Sequence, residues 1–238
     1  MLYIIGLGLN ADGISKFGLQ VVKRCKRVYL ENYTVDFPYS QGELMEVLGK
    51  KVVPAGREFV ESLEIVDEAR KSDVVLLVYG SPLTATTHIS LIQEAKRCGV
   101  KYKIIYNASI LDAVAETGLQ LYKFGKTTSM PKWGKSFSPD SFMEIVQENQ
   151  SMKAHSLILI DIGLEFQDAL NQLKISAKKH EINLKKIILC QRLGTKAQKI
   201  SYKTIEELEK YEDVKKPYCI IIPSELHFVE QEVLEGKT

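Results

Sequence analysis

The chain predicts an α/β protein built as two α/β domains, and three observations carry that expectation. Val74 to Val78 is a run of five apolar residues, too short for a membrane span and too continuous for a half-exposed strand. It fits a strand buried on both faces of a parallel sheet. Short apolar runs alternate with amphipathic helical patterns from residue 2 to about 118, the mark of βαβ units. Composition then changes after about Gly118, and a second alternating series follows. The expected domains are residues 1–113 and 114–238.

Bulk properties narrow the class. The 238 residues are 45% apolar and 26% charged, a globular composition with enough chain for a full core. The 32 basic and 30 acidic residues nearly cancel, leaving a net charge of +2 and no basic footprint for nucleic acid or anionic lipid. No apolar run approaches the roughly 18 residues of a membrane span. The first residues lack a basic region and a small-residue cleavage site, so no export signal is expected. Cys25, Cys98, Cys190 and Cys219 lie far apart without a CxxC, and His88, His155, His180 and His227 have no ligand spacing. These features suit a reduced, cytoplasmic protein without a metal site.

In chain order, Leu2 to Ile5 reads as a short buried strand ended by Gly6-Leu7-Gly8-Leu9. Ile14, Phe17, Gly18, Val21, Val22 and Cys25 then recur at helical spacing. Val28 to Leu30 closes a βαβ unit with Glu31 at its end. Asn32 to Gln41, polar and aromatic with Pro38, reads as a loop over the cleft. Glu43 to Leu48 is a short helix stopped by Gly49, Lys51 to Val53 a short strand, and Arg57 to Arg70 one helix. The strand Val74 to Val78 follows, then Tyr79-Gly80-Ser81-Pro82-Leu83 and Thr84-Ala85-Thr86-Thr87-His88. Glycine allows close backbone approach, and Pro82 pushes Ser81 out of the helical region. A plain strand-to-helix turn would carry the same punctuation. Ile89, Ile92 and Ala95 mark a helix face, Tyr102 to Tyr106 a strand, and Asn107 to Ile110 another small-residue turn. From Ile110 a helix runs toward Gly118.

Residues Phe124 to Pro139 show little periodicity. Ser138-Pro139-Asp140 predicts a helix start with Ser as cap and Pro at the first helical position. Ser156 to Ile160 is a strand ending in Asp161, and Gly163 opens a loop into a helix from Glu165 to Lys178. Ile187 to Cys190 is a strand followed by Gln191-Arg192-Leu193-Gly194, and Lys199 to Lys203 pairs as another. Thr204 with Glu207 forms a capping box. Tyr218 to Ile222 is the last strand, closed by Pro223, and a short helix leads to the tail.

Two ligand chemistries compete at the strand ends. Gly6-Leu7-Gly8-Leu9-Asn10-Ala11 fits the loose dinucleotide fingerprint, with Glu31 twenty residues after Ala11 where a ribose-binding acid belongs. Against it, Asn10 to Gly13 inserts an extra turn before the helix, whereas a dinucleotide loop opens its helix directly to hold pyrophosphate. The other reading takes the turns at Gly6, Tyr79, Asn107, Asp161 and Arg192 together, converging on one ligand at the mouth of a two-domain cleft. None carries a Ser-His-Asp, Cys-His or paired-carboxylate arrangement that implies a covalent nucleophile.

Several strings carry a family resemblance. They are Tyr3 to Leu9, the block Gly80-x-Pro82-Leu83-x-Ala85-Thr86-Thr87-His88, Ser109-Ile110, Tyr122-Lys123-Phe124-Gly125-Lys126, and Pro223-x-x-Leu226-His227. In order, over essentially the whole chain, they resemble the diphthine synthases of the tetrapyrrole methylase-like (class III) methyltransferases. The resemblance implies two α/β domains of the tetrapyrrole methylase type with S-adenosyl-L-methionine in the cleft between them, in a homodimer. It implies as substrate the 3-amino-3-carboxypropyl-histidine of elongation factor 2, whose amine is methylated repeatedly, with further methylation of the carboxylate left open. Carried over by position, the cofactor contacts are Leu9, Ser81, Thr84, Ser109 and Ile110 in the first domain. Ile160, Leu193 and Tyr218 come from the second. Leu9, Ile110, Ile160 and Leu193 suit an apolar adenine slot. Ser81 departs from the family, which carries Asp there; loss of a carboxylate contact would cost about 1.5–3 kcal/mol, and a main-chain contact would cost little. Two other classes stay in view: a nicotinamide-dependent oxidoreductase using the first loop and Glu31, and a non-catalytic relative lacking the acid at Ser81. Outside the cofactor set, His88 can cap, pack or meet substrate, and His227 is read as structural. Glu31 and Tyr33 can contact substrate or belong to a surface loop, and Trp133 can touch a protein partner or pack.

Overall fold

The computed structural model describes residues 1–236. The chain divides into two compact units, residues 1–111 and from 112 onward. In the first, β1 (Leu2–Gly6), α1 (Lys16–Arg24), β2 (Arg27–Glu31), α2 (Gln41–Leu48) and β3 (Val53–Ala55) come first. Then follow α3 (Arg57–Glu61), α4 (Glu64–Lys71), β4 (Val74–Val78), α5 (Ile89–Arg97) and β5 (Tyr102–Ile105), with α6 (Ile110–Ala113) at the junction. All five strands are parallel, in the order β3-β2-β4-β1-β5.

The apolar runs are continuous because both faces are covered. Tyr3, Ile5, Val75 and Leu77 pack with Val21 and Val22 of α1 and Leu44 and Leu48 of α2. Their chain neighbours Leu2, Ile4, Val74, Leu76 and Val78 pack with Ile65 of α4 and Leu91 and Ile92 of α5. Each fully buried aliphatic side chain contributes roughly 1.5–3 kcal/mol. From β1 the chain moves one way across the sheet to β2, and from β4 the other way to β5. The direction therefore reverses between β1 and β4, and ligands of open α/β sheets bind outside such a switch point.

Two expectations in this unit change. The single helix from Arg57 to Arg70 is broken at Ser62-Leu63, where Leu63 adopts a left-handed φ of 67°. The Ser62 hydroxyl donates to Phe59 O, the local competition that ends helices at such residues. The strand expected at Lys51–Val53 lies at Val53–Ala55 and contains Pro54, tolerated because β3 is an edge.

The second unit holds 3₁₀ turns at Val114–Thr117 and Leu121–Lys123, then β6 (Thr128–Met130), α7 (Ser141–Ser151), β7 (Ser156–Ile160) and α8 (Phe166–Lys179). It continues with β8 (Ile187–Gln191), β9 (Lys199–Lys203), α9 (Ile205–Leu208), β10 (Tyr218–Ile222) and α10 (Phe228–Glu235). Its sheet, β6-β7-β10-β8-β9, is mixed: only β6 and β7 are parallel. Strand β6 falls in the segment without periodicity. The helix start expected at Ser138-Pro139 shifts to Ser141 with Asp140 as cap residue. Lys179 and His180 hold the Asp140 carboxylate at 2.6 and 3.0 Å, so it makes no capping hydrogen bond. The Thr204–Glu207 capping box is present.

Candidate functional site

In the first unit, the site grows from the loops after β1 and β4, the strands flanking the switch point. Leu7 N–H donates to Val78 O at 2.8 Å, Gly8 N–H to Gly80 O at 3.2 Å, and Gly80 N–H back to Gly8 O at 2.9 Å. The pair continues the sheet past its strands as an antiparallel bridge. Glycine is required on steric grounds: a Cβ on Gly6 would lie 2.5 Å from Gly80 O and 2.9 Å from Asn107 Cβ. Gly8 and Gly80 sit at φ 75° and 68°, where a Cβ is strained. From the end of β5, the Asn107 side chain fastens this loop. Its Nδ2 donates to Gly6 O at 3.1 Å and Gly13 O at 2.9 Å, while its Oδ1 accepts from Ala108 N–H at 2.8 Å. The Tyr79 hydroxyl donates to Leu9 O at 3.1 Å, and its phenol, pushed up by burial, stays a donor. Phe37 packs edge-on against it, and Tyr39 lies beside it at a tilt.

After β4, the Thr84 N–H donates to Ser81 O at 3.2 Å, and Thr86 Oγ1 to Pro82 O at 3.0 Å. Ser81 and Thr84 are half-buried. The Ser81 main chain therefore closes a turn, a role indifferent to whether Ser or Asp stands there. After β5, the buried Ser109 accepts from Leu111 N–H at 3.2 Å, and Ile110 opens α6 half-buried. Leu9, Ser81, Thr84, Ser109 and Ile110 thus all lie just past the carboxyl ends of three neighbouring parallel strands. Asn107 and Tyr79 were absent from the expected set, although the small-residue turn at Asn107 was a signal.

Ile160, Leu193 and Tyr218 share one end of the second sheet. β7 ends at Ile160, Leu193 follows β8, and antiparallel β10 begins at Tyr218, paired with Gln191. Leu193 is held between Arg192 and Gly194, both at positive φ. The Tyr218 hydroxyl donates to Leu164 O at 3.0 Å and its ring packs on Phe166, so this side chain belongs to the core. What Tyr218 can offer a ligand is its main chain.

Other singled-out residues have structural partners. The Glu31 carboxylate is buried and satisfied within its own turn, by Tyr33 N–H (2.6 Å), Thr34 N–H (2.9 Å) and the Thr34 hydroxyl (2.6 Å). Burial, with Glu31 and Glu61 adding and Arg57 opposing, pushes the Tyr33 phenol up to about 12. Seven residues, Leu9 to Ser15, separate Gly8 from α1, and the Ser15 side chain already accepts from Gly18 N–H. A dinucleotide thus has neither its ribose acid nor a free helix start. His227 caps α10 in a capping box with Glu230, and Trp133 donates from Nε1 to Pro139 O at 2.9 Å. No group of three or more His, Cys, Asp or Glu among the described residues could hold a metal ion. No described helix is long and apolar enough to cross a membrane.

The family model for Tetrapyrrole (Corrin/Porphyrin) Methylases matches residues 1–209. The chain belongs to this family and is a methyltransferase. More particularly, it resembles the diphthine methyl ester synthase of Homo sapiens, 46% identical over 177 residues, 73% of this chain and 62% of that protein. The diphthine methyl ester synthase of Candida glabrata is 37% identical over 265 residues, 98% of this chain and 89% of that protein. A crystal structure of diphthine synthase matches with a TM-score of 0.88 at 31% identity, covering 100% of this chain and 95% of that one.

Proposed function

We propose that this methyltransferase uses S-adenosylmethionine to methylate the 3-amino-3-carboxypropyl-histidine of elongation factor 2, in diphthamide biosynthesis. The observation that carries the reading is the interlocked set of loops at the switch point of the first sheet. Gly6 leaves no room for a Cβ, Gly8 and Gly80 sit at positive φ, and the start of α1 is capped by Ser15 rather than open to a phosphate. Such a cradle suits an adenosyl group bound by backbone and apolar contacts. Leu9, Ser81, Thr84, Ser109 and Ile110, with Ile160, Leu193 and Tyr218, would hold it.

S-adenosylmethionine supplies, when bound, a methyl group activated on a sulfonium. The protein's own part is to orient that group and the acceptor amine, and most of the rate comes from proximity. None of the eight residues carries a side chain basic at neutral pH, so none of them takes the proton that the amine must shed. Methylation proceeds to the trimethylammonium and then to the carboxylate, a last step supported by the relatives' name, methyl ester synthase. The enzyme works in the cytoplasm as a homodimer on this protein substrate.

Calorimetry with S-adenosylhomocysteine and NAD, followed by intact-mass analysis of elongation factor 2 after incubation, tests the reading. We expect binding of the first ligand only, and serial methyl gains with the final one lost in mild alkali. Tight NAD binding without S-adenosylhomocysteine binding overturns the cofactor. Cofactor binding without any mass gain leaves a non-catalytic relative.

A further inference from the structure

His88 stands at the end of the loop that follows β4, and its side chain is only 1% exposed. Its Nδ1 lies 3.0 Å from Pro82 O, the same carbonyl that accepts from Thr86 Oγ1 at 3.0 Å. A carbonyl oxygen only accepts, so the proton of a neutral ring sits on Nδ1 and Nε2 is a bare lone pair. That Nε2 is buried and has no hydrogen-bond partner among the described residues. Burying an orphan acceptor is costly, and an apolar ring would fill the same space without the penalty. What the imidazole adds is one directed donor toward Pro82.

We propose that His88 is a positioning residue of the cofactor loop: with Thr86 it clasps the Pro82 carbonyl and so holds Ser81 and Thr84 in place. The proposal rests on the reading of those two residues as cofactor contacts. Between the ends of the clasp the chain passes through Ala85 at φ 54°, a left-handed conformation that an alanine leaves unless the surroundings impose it. Thr84 immediately precedes Ala85, and its N–H closes the turn on Ser81 O. Releasing the carbonyl lets Ala85 relax and moves Thr84 with it. His88 also precedes the first residue of α5, yet its side chain makes no capping bond to that helix. Its ring is committed to the loop rather than to the helix it introduces.

The variants His88→Asn, His88→Phe and Thr86→Val separate a donor from a filler. Asn keeps an N–H near the position of Nδ1, and Phe keeps the ring without a donor. Calorimetry with S-adenosylhomocysteine and thermal melting are run on each, with ¹⁵N spectra of the wild-type histidines. We expect an Nδ1-protonated neutral ring at His88, and His88→Asn binding within about 3-fold of wild type. His88→Phe should weaken binding by about 10-fold, the scale of one well-placed hydrogen bond, with an unchanged melting midpoint, and Thr86→Val by a smaller factor. Wild-type affinity in a folded His88→Phe, or an Nε2-protonated ring, overturns the proposal. If His88→Phe does not fold, the tautomer and Thr86→Val decide. Failure of the wild type to bind S-adenosylhomocysteine would instead remove the cofactor reading itself.

Discussion

Gly6 has no conformational peculiarity of its own; its importance comes from what surrounds it. The nearest atoms to a Cβ there include the backbone oxygen of Gly80 and Pro82 Cδ, neither of which is the loose end of a flexible side chain. Gly6→Ala should therefore open the Gly8–Gly80 bridge. We expect a stability loss of about 1–3 kcal/mol, the range for overpacking, and a larger relative loss of S-adenosylhomocysteine binding. A variant with unchanged urea midpoint and affinity would show the loop to be yielding. At this scale, Leu9, Ser81, Thr84, Ser109 and Ile110 were nameable from family strings, and all five lie at carboxyl ends of the first sheet. Asn107 was marked only as the start of a small-residue turn: its amide spans 94 and 101 residues to Gly13 and Gly6, a pairing no local pattern encodes. Glu31 misled for the opposite reason. An acid at a strand end matches a ribose-binding position, and only the folded turn shows its oxygens occupied.

Among the elements, the string Tyr122 to Lys126 shows how a family-specific motif can serve the fold. A Cβ on Gly125 would lie 2.1 Å from Asn149 Oδ1. That buried side chain accepts from Lys126 N–H at 2.9 Å and donates to Lys126 O at 2.8 Å and Ser156 Oγ at 3.0 Å. The loop is thus riveted to α7 and β7. Lys123 reaches Glu230 of α10 at 2.5 Å, and His155, just before β7, accepts from Ser224 N–H and faces Glu230 through Nε2 at 3.3 Å. These groups gather at the opposite end of the second sheet from Ile160, Leu193 and Tyr218. Gly125→Ala should cost about 2–4 kcal/mol, combining overpacking with lost hydrogen bonds of Asn149, and denaturant unfolding measures it. A loss below about 0.5 kcal/mol, the level of an ordinary surface change, would contradict this role.

For the whole molecule, the same buried cluster sets the acid response. Burial alone raises the Glu230 carboxyl, but hydrogen bonds from Gln120 N–H, Lys123, His227 N–H and His155 outweigh it and hold the group down at about 2. Its stabilisation is present above the unfolded value of about 4.3 and is lost as pH falls toward 2. His155 is also lowered, chiefly by burial, with Lys123 adding and Glu230 opposing. The unfolded chain therefore takes up that proton first, beginning below about pH 6.5. Both signs agree: stability should fall steadily on acidification from pH 7, and His155→Gln should flatten the upper part of the decline. A urea midpoint that rises between pH 7 and pH 5 would count against this assignment.

The amino-acid order by itself determined the α/β class, the buried character of β1 and β4, and the Thr204 capping box. Each rests on neighbours within a few positions, where spacing and turn chemistry act directly. Tertiary structure alone decided the mixed direction of the second sheet, the break at Leu63, the fastening of the first loop by Asn107, and the inward turn of Glu31. Those outcomes depend on which distant groups satisfy buried donors and acceptors, and such pairings exist only once the chain has closed on itself.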